Sequence, residues 1–398
     1  MKSLKQLYKI GVGPSSSHTM GPVNAVERFL SENDGHERYV VTLYGSLALT
    51  GKGHGTDVAV IKAFGSRSVT IVFDAETKCA HPNTMDLAGY DDGVEVCKMQ
   101  VFSIGGGDIL VAGETFVESE NIYPHRTFEQ IKDYCKHNSL RYWQYALRFE
   151  GDGVTDYIRN AWRIMNKCID DGLEREGTLP GGLNVERRAK KLTQGCGNAE
   201  SAQTRQDRIV SSYAFAVGEQ NASGGVVVTA PTCGASGVLP AVFGYASRQL
   251  NFSDEQIHRG LLTAGIIGNV VKTNASISGA ECGCQAEIGT ACSMAAAGLA
   301  ELYGMKLDEI EYSAEVALEH HLGLTCDPVC GLVQIPCIER NAVAAMRAIN
   351  AVSLATFLAD SRKVSFDAVV KAMYETGRDI PENYRETSIG GLAKLIGR

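Results

Sequence analysis

At 398 residues the chain is longer than a single hydrophobic core usually supports, so two domains are expected, each able to fold without disulfide or metal staples. Hydrophobic residues at 44% and charged residues at 21% exclude a disordered or fibrous chain. The net charge of −8 is spread without a basic stripe, which argues against nucleic acid as a partner.

The first nine residues alternate charged with apolar side chains and never build the apolar run of a signal peptide. The longest apolar passage, 261–271, is broken by glycine and asparagine and falls short of the roughly 20 residues that cross a bilayer. A cytoplasmic protein with no membrane partner is expected.

Gly11-Val12-Gly13-Pro14-Ser15-Ser16-Ser17-His18-Thr19 places a Gly/Pro turn and a row of hydroxyls before a helix on which Val23, Val26, Phe29 and Leu30 share a face. The row reads either as a serine-rich helix cap or as an anion site, since donors at the positive end of a helix dipole suit a carboxylate. Residues 39–44, 69–73 and 94–102 carry the β-branched and aromatic enrichment of strands, and 58–64 reads as a helix between them.

Thr50-Gly51-Lys52-Gly53-His54-Gly55-Thr56-Asp57 follows the first strand but lacks the spacing of a nucleotide loop. His54 is read as lying in a glycine-rich turn, where backbone can approach a ligand and an imidazole can take a proton; a structural histidine is the other reading. Regularity breaks at residues 103–108, and Pro124-His125-Arg126-Thr127 looks like a boundary. The expected division is therefore an α/β domain over residues 1–122 and a second domain over 123–398, an α+β chain overall.

The second domain reads as nearly all helical. Ser253 and Gln256 form a capping box ahead of a long apolar helix, and 293–303, 308–320, 341–358 and 366–376 follow as further helices rich in good helix formers. Of the twelve cysteines, Cys282, Cys284, Cys292, Cys326, Cys330 and Cys337 gather in one stretch. Thiols in that number suit zinc or an iron–sulfur cluster, or are simply buried, and spacing alone leaves all three open. A zinc site from Cys282, Cys284, Cys326 and Cys330 is one such option, and Cys292, in an Ala-rich helix, reads as packing. The Arg187-Arg188-Ala189-Lys190-Lys191 cluster reads as a solvated face or a local anion contact.

Taken together, Gly13-Pro14-Ser15-Ser16-Ser17-His18-Thr19, Gly45-Ser46-Leu47-Ala48-Leu49-Thr50-Gly51-Lys52-Gly53-His54, Asn274-Ala275-Ser276-Ile277-Ser278-Gly279-Ala280-Glu281, Leu324-Thr325-Cys326-Asp327-Pro328 and Gln334-Ile335-Pro336-Cys337-Ile338-Glu339-Arg340-Asn341 resemble the one-chain iron–sulfur L-serine dehydratases. The resemblance runs through both domains in the same order. It implies a first domain like the allosteric substrate-binding domain of some phosphoglycerate dehydrogenases, an all-helical cluster domain, and a site where the two meet.

By the same resemblance Cys284, Cys326 and Cys337 hold a 4Fe-4S cluster, leaving one iron free to act as Lewis acid on the hydroxyl of L-serine. His54 is then the base for the Cα proton, with His18 beside it, and Ser15, Ser16, Ser17 and Thr19 hold the substrate carboxylate. The products are pyruvate and ammonia, the activity is oxygen-sensitive, pyridoxal phosphate is disfavoured, and a homodimer is expected. Two departures stand out: many relatives carry a cysteine near the C-terminus that folds onto the open iron, whereas the last cysteine here is Cys337, and Cys233 stands where a polar amide is expected. Water or another small ligand is therefore expected on that iron at rest. The alternative function is a non-catalytic amino-acid-binding regulator with a structural zinc–thiolate site.

Overall fold

A computed structural model describes residues 1–114, 120–195 and 200–396. The chain opens with β1 (Ile10–Val12) and a wide helical turn, Ser16–Met20, that runs directly into α1 (Gly21–Leu30). Pro22 sits in the first turn of α1, where its missing N–H leaves no bond unmade, and Ala25, Val26 and Phe29 form the buried face.

Next come β2 (Arg38–Tyr44), α2 (Gly45–His54), α3 (Thr56–Phe64), β3 (Val69–Asp74), β4 (Thr84–Asp91), β5 (Val94–Gly105) and β6 (Asp108–Val111). Among the described residues they make a five-stranded sheet of order β3-β2-β4-β5-β6, in which only β2 and β3 run parallel. That parallel step requires a crossover, which α2 and α3 provide. Along β2, buried Tyr39, Val41 and Leu43 alternate with more exposed neighbours, the period of a strand with one face in a core. Phe29, Tyr39, Phe64, Leu87 and Val101 are at the centre of that core.

The remainder is helical: α4 (Phe128–His137), α5 (Tyr142–Glu150), α6 (Val154–Glu174), α7 (Ala189–Thr193), α8 (Ala202–Ala222), then a short strand β7 (Val226–Val228), then α9 (Val238–Leu250), α10 (Asp254–Asn274), α11 (Gly279–Cys282), α12 (Thr290–Leu302), α13 (Leu307–Glu319), α14 (Cys337–Leu358), α15 (Phe366–Asp379) and α16 (Gly391–Ile396). The capping box expected from Ser253 and Gln256 starts α10. α12 is buried along its whole length, as a helix apolar on every side must be, and α9, α10, α13 and α14 pack around it. Small residues allow the close approach: a Cβ on Gly298 would stand 2.8 Å from the Gly260 carbonyl oxygen. The stretch Cys337–Ser361 is long and apolar enough to cross a membrane, which the sequence reading did not single out; Ala344, Ala345, Ala348, Ala351 and Val352 on it are buried in the helical body.

The N-terminal arm belongs to the helical body by its contacts. Leu4, Leu7 and Tyr8 enter the second core, the Tyr8 hydroxyl donates to the Leu261 carbonyl at 2.8 Å, and β1 pairs antiparallel with β7. At the other end of the sheet region, the Tyr123 N–H donates to the Met1 carbonyl at 3.1 Å and the Met1 amine to the Tyr123 carbonyl at 3.2 Å. The chain thus leaves the helical body, builds the sheet, and returns to the same place.

Candidate active site

The sheet side of the site is built from two short-range devices. In the turn after Pro14, the Ser15 hydroxyl accepts from the His18 N–H at 3.2 Å, and the Ser103 hydroxyl on β5 donates to the Ser17 carbonyl at 2.7 Å. Asn221 of α8 donates to the Pro14 carbonyl at 2.9 Å, so both bodies hold the turn. It presents Ser15, Ser16 and Ser17 to a cavity, whereas Thr19 spends its hydroxyl on the Val12 and Ser15 carbonyls.

His54 is the last residue of α2 rather than part of a turn, which corrects the expectation drawn from its flanking glycines. The helix forms because tertiary packing overrides the low propensity of Gly51 and Gly53: a Cβ on Gly53 would stand 2.9 Å from the Gly331 carbonyl carbon in the cysteine-bearing loop. Gly55, at φ 68°, takes the left-handed conformation that closes the helix C-terminus.

The two imidazoles are stacked, with centroids 4.4 Å apart and planes 22° from parallel, and both are buried. His18 is bonded at both nitrogens, Nδ1 to the Ser17 hydroxyl at 2.9 Å and Nε2 to the Ser46 hydroxyl at 3.0 Å. For His54, Nδ1 lies 3.0 Å from the Thr50 carbonyl, which accepts only, so Nδ1 carries the proton. Its Nε2 is left with a lone pair, buried and without a hydrogen-bond partner, in a residue that lines the cavity. Burial pushes the His54 pKa down to about 4, and burial together with the neighbouring His54 lowers that of His18, so both rings are neutral near pH 7.

The helical body supplies the opposite wall. Cys284 follows α11, Cys326 lies in the loop after α13, and Cys337 opens α14; all three are buried and line the cavity. Asp327 ties that loop down, accepting from Arg340 at 3.0 Å and from the Leu392 N–H at 2.8 Å. Asn341 bonds the Gly234 and Cys337 carbonyls, each at 2.8 Å. The Cys284 thiol and burial raise the Cys326 pKa, and burial followed by Cys284 raises that of Cys337. Cys282 faces Gly377 on α15, Cys330 is exposed, and Cys292 bonds the Ala344 carbonyl at 3.2 Å; none of them lines the cavity. Cys233 turns its sulfur to Met20 and also lies outside the lining, which its neighbours Thr232 and Gly234 join.

Two carboxyls that sequence reasoning missed complete the wall. Glu287 accepts from the Thr232 hydroxyl at 2.5 Å, and Glu386 places Oε1 3.7 Å from His54 Nε2. Burial raises both pKa values, and for Glu386 the nearby Glu287 adds to the effect. Glu287 could have been flagged as an acid inside an otherwise uncharged buried run. Glu386 had no local signal, because it arrives on a C-terminal strap: Cys326 N–H donates to the Tyr384 carbonyl at 2.8 Å, Glu386 N–H to the Cys326 carbonyl at 2.7 Å, and the Ser388 hydroxyl to the Pro328 carbonyl at 2.7 Å.

Two sets of atoms, one from Cys284, Glu287 and Cys326 and the other from His18, His54 and Glu386, each lie within 4.8 Å of one another and can hold a metal. The thiol set has the softer donors, suited to iron–sulfur or zinc. A free imidazole nitrogen facing buried thiols and carboxyls can take a proton from a small polar molecule held between the walls.

A family model described as serine dehydratase alpha chain matches residues 85–393, and one described as serine dehydratase beta chain matches residues 3–69. The L-serine dehydratase of Haemophilus influenzae is 40% identical, the alignment covering 100% of this chain and 99% of that protein. L-serine dehydratase TdcG of Escherichia coli is 41% identical, with 99% of each chain covered. The L-serine dehydratase of Streptomyces coelicolor is 40% identical, again with 99% of each covered.

Proposed function

Because the chain belongs to the serine dehydratase family, we propose that it is an iron–sulfur L-serine ammonia-lyase that converts L-serine to pyruvate and ammonia in the cavity between its two walls. The observation that carries this reading is the unpartnered Nε2 of His54 in a cavity lined on its far side by three cysteines.

The donor set fits a 4Fe-4S cluster. Cys284, Cys326 and Cys337 converge without a disulfide, and a Cβ on Gly279 would stand 3.1 Å from Cys326 Sγ, so glycine keeps open the space beside that sulfur. Held by three thiolates, such a cluster supplies a Lewis-acidic iron toward a hydroxyl that is otherwise a poor leaving group.

In this reading the chain does the rest. Ser15, Ser16 and Ser17, at the start of the turn that leads into α1, take the substrate carboxylate, and Thr19 braces that turn. His54 Nε2 takes the Cα proton, its tautomer set by Thr50, while His18, stacked against it, fixes the ring plane. Loss of the proton and of the hydroxyl as water gives aminoacrylate; after tautomerising, it takes up water and releases ammonia, leaving pyruvate. Residues 1–122 then present the base and the hydroxyls and residues 123–398 the thiols. A homodimer and a cytoplasmic location belong to the same proposal.

The test is anaerobic purification, iron and sulfide analysis, and pyruvate formation from L-serine before and after exposure to air. The reading expects about four irons and four sulfides per chain and an activity that air destroys. Zinc without sulfide, and no pyruvate after reconstitution, would replace it with a zinc-stabilised binding protein.

A further inference from the structure

Cα of L-serine carries four substituents, and in the dehydratase reading the cavity offers a distinct group to three of them. His54 Nε2 meets the hydrogen, the serine turn meets the carboxylate, and the thiol wall meets the hydroxymethyl arm. The α-ammonium remains, and a cation taken from water needs a counter-charge or several acceptors.

Among the described residues that line the cavity, Glu287 and Glu386 are the only carboxyls. They stand in different places. Glu287 has an oxygen within 4.8 Å of the Cys284 and Cys326 sulfurs and is engaged by Thr232. Glu386 also comes from the helical side, its N–H donating to the Cys326 carbonyl at 2.7 Å, but its carboxyl reaches across to the histidines, Oε1 3.7 Å from the nitrogen that takes the proton. The ammonium and the departing hydrogen share one carbon, so the carboxyl beside Nε2 is the one within reach of both.

We propose that Glu386 receives the substrate α-ammonium and thereby sets a preference for α-amino over α-hydroxy acids, an assignment that rests on the dehydratase reading above.

The backbone supports it. Glu386 sits at φ 58°, a left-handed conformation that costs a non-glycine residue and persists where the surroundings impose it, as functional sites often do. The strap bonds to Cys326 and Pro328 impose it here. Among the described residues no lysine or arginine pairs with the Glu386 carboxyl, and Arg385 next to it turns away to the Glu281 carbonyl at 3.1 Å.

The experiment compares wild type, Glu386→Gln and Glu386→Asp as anaerobically reconstituted holoenzymes. It measures KM and kcat for L-serine, Ki for L-glycerate, and the iron, sulfide and visible spectrum of each protein. Glu386→Gln should raise KM for L-serine by about tenfold or more, leave Ki for L-glycerate within about twofold, and keep iron and sulfide at wild-type level. Glu386→Asp, which keeps the carboxyl but withdraws it, should move KM in the same direction by less.

An unchanged KM, or equal weakening of L-serine and L-glycerate, overturns the assignment. A fall in kcat with a shifted pH profile and an unchanged KM also overturns it, because Glu386 would then act only through His54. If Glu386→Gln does not assemble, Glu386→Asp decides by the same two readouts. A loaded wild type that makes no pyruvate defeats the dehydratase reading instead; the affinity of that protein for L-serine against L-glycerate, read from its visible spectrum, still reports on Glu386.

Discussion

The two walls of the cavity are finished to different degrees. On the sheet side the two imidazoles and the turn are already bonded, His18 at both nitrogens, Thr19 at its hydroxyl and His54 at Nδ1, while Nε2 of His54 keeps its lone pair. On the helical side the thiols of Cys326 and Cys337 and the carboxyls of Glu287 and Glu386 crowd together and are pushed toward their neutral forms. The difference separates an imidazole that the fold alone leaves with a free lone pair from thiols and carboxyls that become charged only when something cationic joins them.

The sharpest way to break that comparison is to remove a thiol. Cys284→Ala, Cys326→Ala or Cys337→Ala should abolish both bound iron and pyruvate formation, while Cys292→Ala keeps both; a full complement of iron and sulfide without Cys326 would refute the ligand assignment. On the other wall, His54→Ala should leave iron and sulfide intact and lower kcat by on the order of 10²–10⁴, the usual worth of a general base. Near-normal turnover would remove His54 from that role.

A smaller effect follows from the neutral histidines. The folded pKa of His54, about 4, lies below its ordinary 6.5, so the unfolded chain binds more protons between those values. Stability from this burial is complete above pH 6.5 and falls as the pH drops toward 4, by about 2 kcal/mol between 6.5 and 5. Urea unfolding at pH 7 and pH 5 should show that loss in wild type and less of it in His54→Gln; equal losses would place the pH dependence elsewhere. The smallest effect is expected from Ser46→Ala, which leaves His18 Nε2 unpartnered and should cost about 1–2 kcal/mol of stability with the iron content unchanged. No measurable change would mean that His18 finds another partner.

Part of the order of strands and helices was legible, because periodicity and capping are local, whereas β1, β4 and β6 carried no pattern that singled them out. β2, β3, β5 and the capping box of α10 all lie where patterning places them. β7 was not, since three valines form a strand there only by pairing with β1, more than 200 residues earlier. The end of α2 misled for a related reason: Gly51, Gly53 and Gly55 look like a loop, but only the last is a terminator, and Gly53 is small because another backbone lies against it. Spacing left the cysteines open between zinc, iron–sulfur and packing, and it was the resemblance that singled out Cys284, Cys326 and Cys337. Glu386 escaped both routes, because its place depends on hydrogen bonds between the strap and the Cys326 loop.

The mutual bonds between Met1 and Tyr123 have a practical consequence. The sheet is clamped to the helical body at its entry and at its exit, and β1 with the arm before it holds on independently of the return path. A single break in the chain between residues 111 and 123 should therefore leave two fragments that stay associated and co-purify. The same polypeptide should work as well in two pieces as in one, provided the smaller piece keeps its first twelve residues.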